Sequence, residues 1–233
     1  MPKNNTSVVV TGLGALTPVG NDVPITWTAL VEGRSGVKRI TRFDPSPFET
    51  QIAGEVKGFE PREHFNPKEA RRLDRFVQFA VVATRQALED AKLTINADNA
   101  ERVGVVIGTA VGGIETLSTE FEKLQARGPR RLSPFFLPMM MPDTASGQVA
   151  FSCGAKGPNM AIVLACATGS NAIGEAAEMI RRGDADAIIS GGSEAPLVPI
   201  ALAGFNVRGS CPPITTSRRR PAALSTPPAM GWP

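Results

Sequence analysis

The chain has 233 residues, enough for one substantial α/β domain or two small ones. A hydrophobic fraction of 42% and a charged fraction of 20% fit a globular protein, and no apolar run approaches the roughly 18 residues that a membrane-spanning helix needs. The formal charge of +3 is unevenly placed. Arg208, Arg218, Arg219 and Arg220 give residues 208–233 a charge of +4, which leaves the first 207 residues at −1 and removes the nucleic-acid reading that a basic pI invites.

The start, Met1 to Gly12, holds only the short run Ser7-Val8-Val9-Val10, too short for a signal-peptide core, so the chain reads as cytoplasmic. Val8–Val10 reads as a buried strand ended by Gly12-Leu13-Gly14. Trp27 to Glu32 reads as a short helix, and residues 34–66 as irregular. A long helix is predicted after Pro67, since Phe76, Phe79, Ala80, Ala83, Ala87, Leu88 and Ala91 recur at three- and four-residue spacing. Val103–Ile107 is a β-branched strand, and Glu115–Gln125 a helix. Residues 128–147 are rich in Pro, Met and Phe, so regular structure is not expected there, yet the stretch is too apolar for a free loop. It reads as a covered loop, a pocket wall or a subunit interface. Met160–Leu164 and Ala187–Ile189 are predicted strands, with a helix over Thr168 to Arg182 between them. Alternating strands and helices imply a mostly parallel sheet. From Arg208 onward there are six prolines, an Arg triplet and no periodicity, which divides the chain into a folded domain over 1–207 and an aberrant, disordered tail over 208–233.

Gly12-Leu13-Gly14 after a strand invites a dinucleotide reading, but the third glycine of that fingerprint would fall at Thr17. A turn that needs glycine conformations explains it better. Three cysteines, Cys153, Cys166 and Cys211, show no C-x-x-C spacing, and His64 is the single histidine. Reduced thiols are expected, and no structural zinc or other metal. Cys166 lies in Ala165-Cys166-Ala167-Thr168-Gly169, where a strand meets a small-residue turn and a helix begins. The helix dipole there favours thiolate, and backbone N–H groups can form an oxyanion hole. On the residues alone, a buried, inert cysteine is the slightly favoured reading. Lys68, Arg71 and Arg72 share a helix face, and Arg130 and Arg131 form a second basic cluster. Both suit either solvated charge or an acidic partner.

Several of these segments resemble one family. VVVTGLGALTPVG at Val8–Gly20, KEARRLDRFVQF at Lys68–Phe79, GTAVGG at Gly108–Gly113, SPFFLP at Ser133–Pro138, ACATG at Ala165–Gly169 and GDADAIISGGSE at Gly183–Glu194 are together similar to β-ketoacyl-acyl carrier protein synthases, of the elongating synthase II type. The resemblance runs from about Ser7 to Val207. It implies an α/β, thiolase-like fold, here the N-terminal half of a two-half α/β/α/β/α architecture that forms homodimers. It also implies that Cys166 takes an acyl chain, which then condenses with a malonyl unit on acyl carrier protein with loss of carbon dioxide. It places Val111, Phe136, Leu137 and Phe205 around the acyl pocket, and Lys68, Arg71, Arg72, Arg130 and Arg131 against the acidic carrier. No cofactor is implied beyond the phosphopantetheine on which the carrier holds its substrates.

The family completes its site with two histidines and a lysine from a C-terminal half, and His64 matches neither histidine by motif. Condensation by these residues alone is therefore not expected. A polyketide-type synthase or a carrier-binding fragment without catalysis remains an alternative reading. A shift of reading frame near Arg208 is also expected, because codon choice lets another frame of Ser210–Trp232 read as a family sequence.

Overall fold

The computed structural model describes residues 7–207, so the tail from residue 208, with Cys211 in it, lies outside the described residues. The predicted strand Val8–Val10 is not part of a sheet. Residues 7–16 carry no regular secondary structure, with Val9 and Val10 each 73% exposed. Their neighbour is a helix rather than a strand, so side chains supply the acceptors: Leu13 N–H donates to Asp90 Oδ2 and Ala15 N–H to Gln86 Oε1, both at 2.9 Å. Gly12 and Gly14 are required by close approach and not by backbone angle. A Cβ on them would lie 2.2 Å from the Ala87 carbonyl oxygen and 1.8 Å from that of Ala83, and neither has positive φ.

Helix α1 (Val23–Val31) starts where the Asp22 carboxylate accepts the Ile25 N–H at 2.7 Å. The stretch read as irregular contains a small antiparallel hairpin, β1 (Val37–Arg39) with β2 (Ile52–Gly54), in the register Val37 to Gly54. Three residues per strand, mostly exposed, leave no alternation to read. After α2 (Pro61–His64), the single helix predicted beyond Pro67 is two: α3 (Pro67–Ala70) and α4 (Arg75–Asp90). The break has a cause. Asp74 is an N-cap in extended conformation, and its buried carboxylate also accepts the Thr116 N–H and hydroxyl at 2.9 and 2.6 Å. The Gln78 amide then reaches back to the Ala70 and Leu73 carbonyls, both at 3.0 Å.

Strand β3 (Val103–Gly108) is buried along its whole length. It is followed by α5 (Ile114–Arg127) and by the Pro- and Met-rich stretch, which is not devoid of regular structure. A short helix, α6 (Phe136–Met140), forms there, and α7 (Thr144–Cys153) begins inside it. Pro138 sits in the first turn of α6, where an N–H would have no intrahelical acceptor, so it breaks nothing. Strand β4 covers only Asn159–Met160. Then come α8 (Thr168–Arg182), β5 (Ala187–Gly192) and α9 (Pro199–Val207).

The three later strands form a parallel sheet in the order β4-β3-β5. Along β3, Val105 and Ile107 enter one core with Phe76, Val77 and Val81 of α4 and Ala145 and Val149 of α7. Val106 enters another with Ala172, Ala176 and Met179 of α8. Period-two alternation with an apolar layer on each face is why β3 reads as an unbroken hydrophobic run. Among the described residues no helix is long and apolar enough to cross a membrane.

Candidate active site

The carboxyl ends of β3 and β5 meet the start of α8. Gly108 pairs with Gly192 in the sheet register. A Cβ on Gly192 would lie 3.0 Å from Gly169 Cα, and one on Gly108 would lie 2.2 Å from Thr168 Cγ2. Glycines at 108, 169 and 192 thus let two strand ends and a helix start approach backbone to backbone. Ligands of parallel α/β sheets bind at this end of the strands.

Cys166 projects from a single 3₁₀ turn, Ala165–Ala167, immediately before α8. Ala165 has φ of 44°, in the left-handed region that costs a side-chain-bearing residue energy. Three hydrogen bonds hold the turn: Leu164 N–H donates to Thr168 Oγ1 at 2.8 Å, Ala167 N–H to the Leu164 carbonyl at 3.0 Å, and Thr168 N–H to the Ala165 carbonyl. Cys166 is exposed and immediately precedes a helix's first turn, where developing negative charge is favoured. The approach is less regular than expected. Beyond the two residues of β4, Val163 and Leu164 are exposed and outside any strand. Cys153 contrasts with Cys166. It ends α7, is partly buried against the main core, and its burial pushes the thiol pKa up, the setting of an inert cysteine.

Val111 lies in the turn after β3, on the same side as Cys166: Thr109 N–H donates to the carbonyl of Ile162, four residues before the cysteine, at 3.2 Å. The turn also meets α6. Gly113 N–H donates to the Met140 carbonyl at 3.1 Å, and a Cβ on Gly113 would lie 2.3 Å from the Met139 carbonyl oxygen. Val111 and the helix carrying Phe136 and Leu137 are therefore joined, while Phe205 sits apart in the chain on α9. Val111, Leu137 and Phe205 are all exposed. A cavity of about 350 Å³ opens elsewhere, between Gly14–Pro18, Phe79, Ala80, Ala83 and Gly192–Glu194, and Cys166 does not line it.

Glu194 carries no role in the sequence reading. In the structure, its Oε2 accepts the Thr109 hydroxyl at 3.1 Å, the Ala110 N–H at 2.6 Å and the Val111 N–H at 3.1 Å. No local pattern links residues 85 positions apart; the only sequence signal was that Glu194 closes the GDADAIISGGSE segment.

Lys68, Arg71, Arg72, Arg130 and Arg131 are all exposed. Lys68 lies on α3, and Arg71 and Arg72 directly follow it; Arg130 and Arg131 form the turn Pro129–Arg131. The Arg72 guanidinium stacks 4.2 Å from the Phe135 ring centroid, so the first cluster touches the segment that carries Phe136 and Leu137. Ser133 N–H donates to the buried Glu120 carboxylate at 2.8 Å, which fixes the start of that segment to α5. His64 stacks on Phe59, with ring centroids 5.1 Å apart, and takes no part in the turn at Cys166. Among the described residues no group of three His, Cys, Asp or Glu side chains could hold a metal ion.

The family model for the N-terminal domain of β-ketoacyl synthases matches residues 5–220. The 3-oxoacyl-[acyl-carrier-protein] synthase 2 of Staphylococcus aureus (strain COL) is 54% identical over 202 residues, 87% of this chain and 49% of that protein. The enzyme of the same name from a Synechocystis strain is 51% identical over 198 residues, 85% of this chain and 48% of that protein. The chain spans about half the length of the curated relatives it matches. Among solved structures, the ishigamide ketosynthase/chain length factor is similar with a TM-score of 0.80 and 31% identity, over 88% of this chain and 51% of that one. A type II PKS acyl-carrier protein in complex with its ketosynthase bound to the hexaketide gives a TM-score of 0.73 and 25% identity, over 87% and 54%.

Proposed function

Since the chain belongs to the β-ketoacyl synthase family, we propose that it is the acyl-accepting half of a 3-oxoacyl-[acyl-carrier-protein] synthase of fatty acid elongation. The observation that carries this reading is the exposed Cys166 on a strained turn at the mouth of α8. In the first step the Cys166 thiolate attacks the carbonyl carbon of an acyl thioester on acyl carrier protein. The carbon–sulfur bond to phosphopantetheine breaks, its sulfur leaves as a thiolate that takes up the proton Cys166 had earlier given to solvent, and the acyl group stays on Sγ. First-turn N–H groups of α8 suit the oxyanion that forms on the way. In the second step malonyl carrier protein loses carbon dioxide, and the resulting enolate carbon attacks the Cys166 thioester. A carbon–carbon bond forms and the thiolate is released.

The two steps divide unequally over these residues. The single histidine of the 233 residues, His64, is occupied against Phe59, so enolate stabilisation falls to groups from the family's other half. No cofactor enters either step. The exposed basic groups around Lys68 and Arg130, joined to the apolar segment through Arg72 and Phe135, suit an acidic carrier protein. A homodimer in the cytoplasm is the setting that goes with this reading. The 54% identity to a 3-oxoacyl-[acyl-carrier-protein] synthase 2, against 25% to the type II PKS ketosynthase, favours elongation over polyketide assembly.

Incubation with an acyl carrier protein thioester, followed by intact-mass and peptide mass spectrometry, tests the assignment. Acyl mass on Cys166, absent in Cys166→Ala, is the expected result. Acyl mass that persists in Cys166→Ala, or on no residue at all, rejects it.

A further inference from the structure

We propose that Glu194 is a positioning residue for acyl-chain selection, its carboxylate fixing the Val111 wall against the turn that carries Cys166. The inference rests on the reading that Cys166 takes an acyl chain, and extends it to a residue that reading does not involve.

All the hydrogen bonds that Glu194 accepts go to one loop. Oε2 takes the Thr109 hydroxyl and the consecutive N–H groups of Ala110 and Val111. The Thr109 hydroxyl in turn accepts the Gly112 N–H at 3.2 Å, so a single oxygen organises four consecutive residues. The first residue of the loop is also tied to the segment that leads to the cysteine: Thr109 N–H donates to the carbonyl of Ile162, four residues before Cys166, at 3.2 Å. Glu194 is itself held from behind. The neighbouring Ser193 N–H donates to the Gly108 carbonyl at 3.0 Å, and the Ser193 hydroxyl to the Phe76 carbonyl at 2.6 Å. The carboxylate is thus a fixed post and the loop is what it holds. Two adjacent peptide N–H groups aimed at one point are well matched by a negative oxygen. Without it they must find other acceptors, and the loop turns. Val111 is 46% exposed and has little packing of its own to keep it in place. Discrimination between chains that differ by methylenes needs a wall set to a fraction of an ångström.

The test measures loading rates of butyryl and lauroyl N-acetylcysteamine thioesters at Cys166 by intact-mass spectrometry. Each rate is expressed relative to alkylation of the same thiol by iodoacetamide, which reads the thiol and not the wall. In Glu194→Ala the butyryl-to-lauroyl ratio is expected to change by at least about fivefold. Glu194→Gln keeps an acceptor oxygen in place and is expected to bring the ratio back toward that of the unsubstituted protein. A smaller change in the alanine variant, or equal slowing of both chains, overturns the proposal. If Glu194→Ala fails to fold, Thr109→Val, which removes one of the three bonds to Glu194 and the Gly112 bond to the same hydroxyl, is read by the same threshold. Failure of the unsubstituted protein to load either chain would instead remove the acylation reading itself.

Discussion

A methyl group at Gly108 would lie 2.2 Å from Thr168 Cγ2 and 2.4 Å from the Ile162 carbonyl oxygen. Thr168 cannot yield freely, because its hydroxyl accepts the Leu164 N–H that holds the cysteine turn. Gly108→Ala is therefore expected to cost about 1–3 kcal/mol of stability and to slow acylation of Cys166 more than alkylation of Cys153. Thermal melts and rate measurements on both thiols check this; an unchanged Cys166 rate with a normal melt contradicts it. The small-residue turn and helix start at Cys166 were legible in sequence because both are local, whereas the strand expected over Met160–Leu164 shrinks to Asn159–Met160. The left-handed Ala165 was not, since alanine carries no signal for that conformation. Nor was Glu194, whose partners are set by the fold. Gly12 and Gly14 were noticed for the wrong reason: close approach to α4 leaves the same letters in the chain as a turn does.

Glu55 joins the two ends of the β1–β2 hairpin. It is buried and accepts the Thr41 N–H at 2.9 Å, the Thr41 hydroxyl at 2.8 Å and the Arg42 N–H at 3.1 Å, and it pairs with Lys57. Burial pushes its pKa up, but the Lys57 ammonium and the Thr41 and Arg42 donors outweigh burial and hold it at about 2, against an ordinary value of 4.5. A depressed folded-state pKa stabilises fully above the unfolded value. That contribution is lost as pH falls from about 4.5 through about 2. Glu55→Gln is expected to lower the melting temperature at neutral pH and to flatten its fall across that acid window; parallel melting curves for the two proteins would refute the assignment. Elements with strong periodicity or β-branched runs, such as α8 and β3, were readable from sequence to within a residue or two. The hairpin was not, because two three-residue strands joined by long-range capping have no period. The break before α4 was missed because the apolar spacing continues through it, while Asp74 is pinned by Thr116 on another helix.

On the scale of the whole molecule, apolar surface is distributed unevenly. Trp27, Leu30 and Val31 on α1 are 66%, 59% and 69% exposed, Phe151 on α7 is 86% exposed, and Ile200 on α9 is 66% exposed. Large exposed apolar groups on several elements mark faces that favour burial against other protein. The 233-residue chain by itself is expected to bind anilinonaphthalene sulfonate and to elute from a sizing column ahead of a 24.6 kDa monomer; monomeric elution without dye binding would contradict this. The α/β class was legible from alternating strands and helices, whereas the family architecture came from the resemblance of whole segments. The irregular stretch over residues 7–16 has a mechanical consequence. Its Leu13 and Ala15 N–H groups are each held by one side chain of α4, Asp90 and then Gln86, one helical turn apart. A load applied at its amino end meets these two bonds in succession and not together. The segment should therefore unzip at low force, and only after both have parted does tension reach the core beneath.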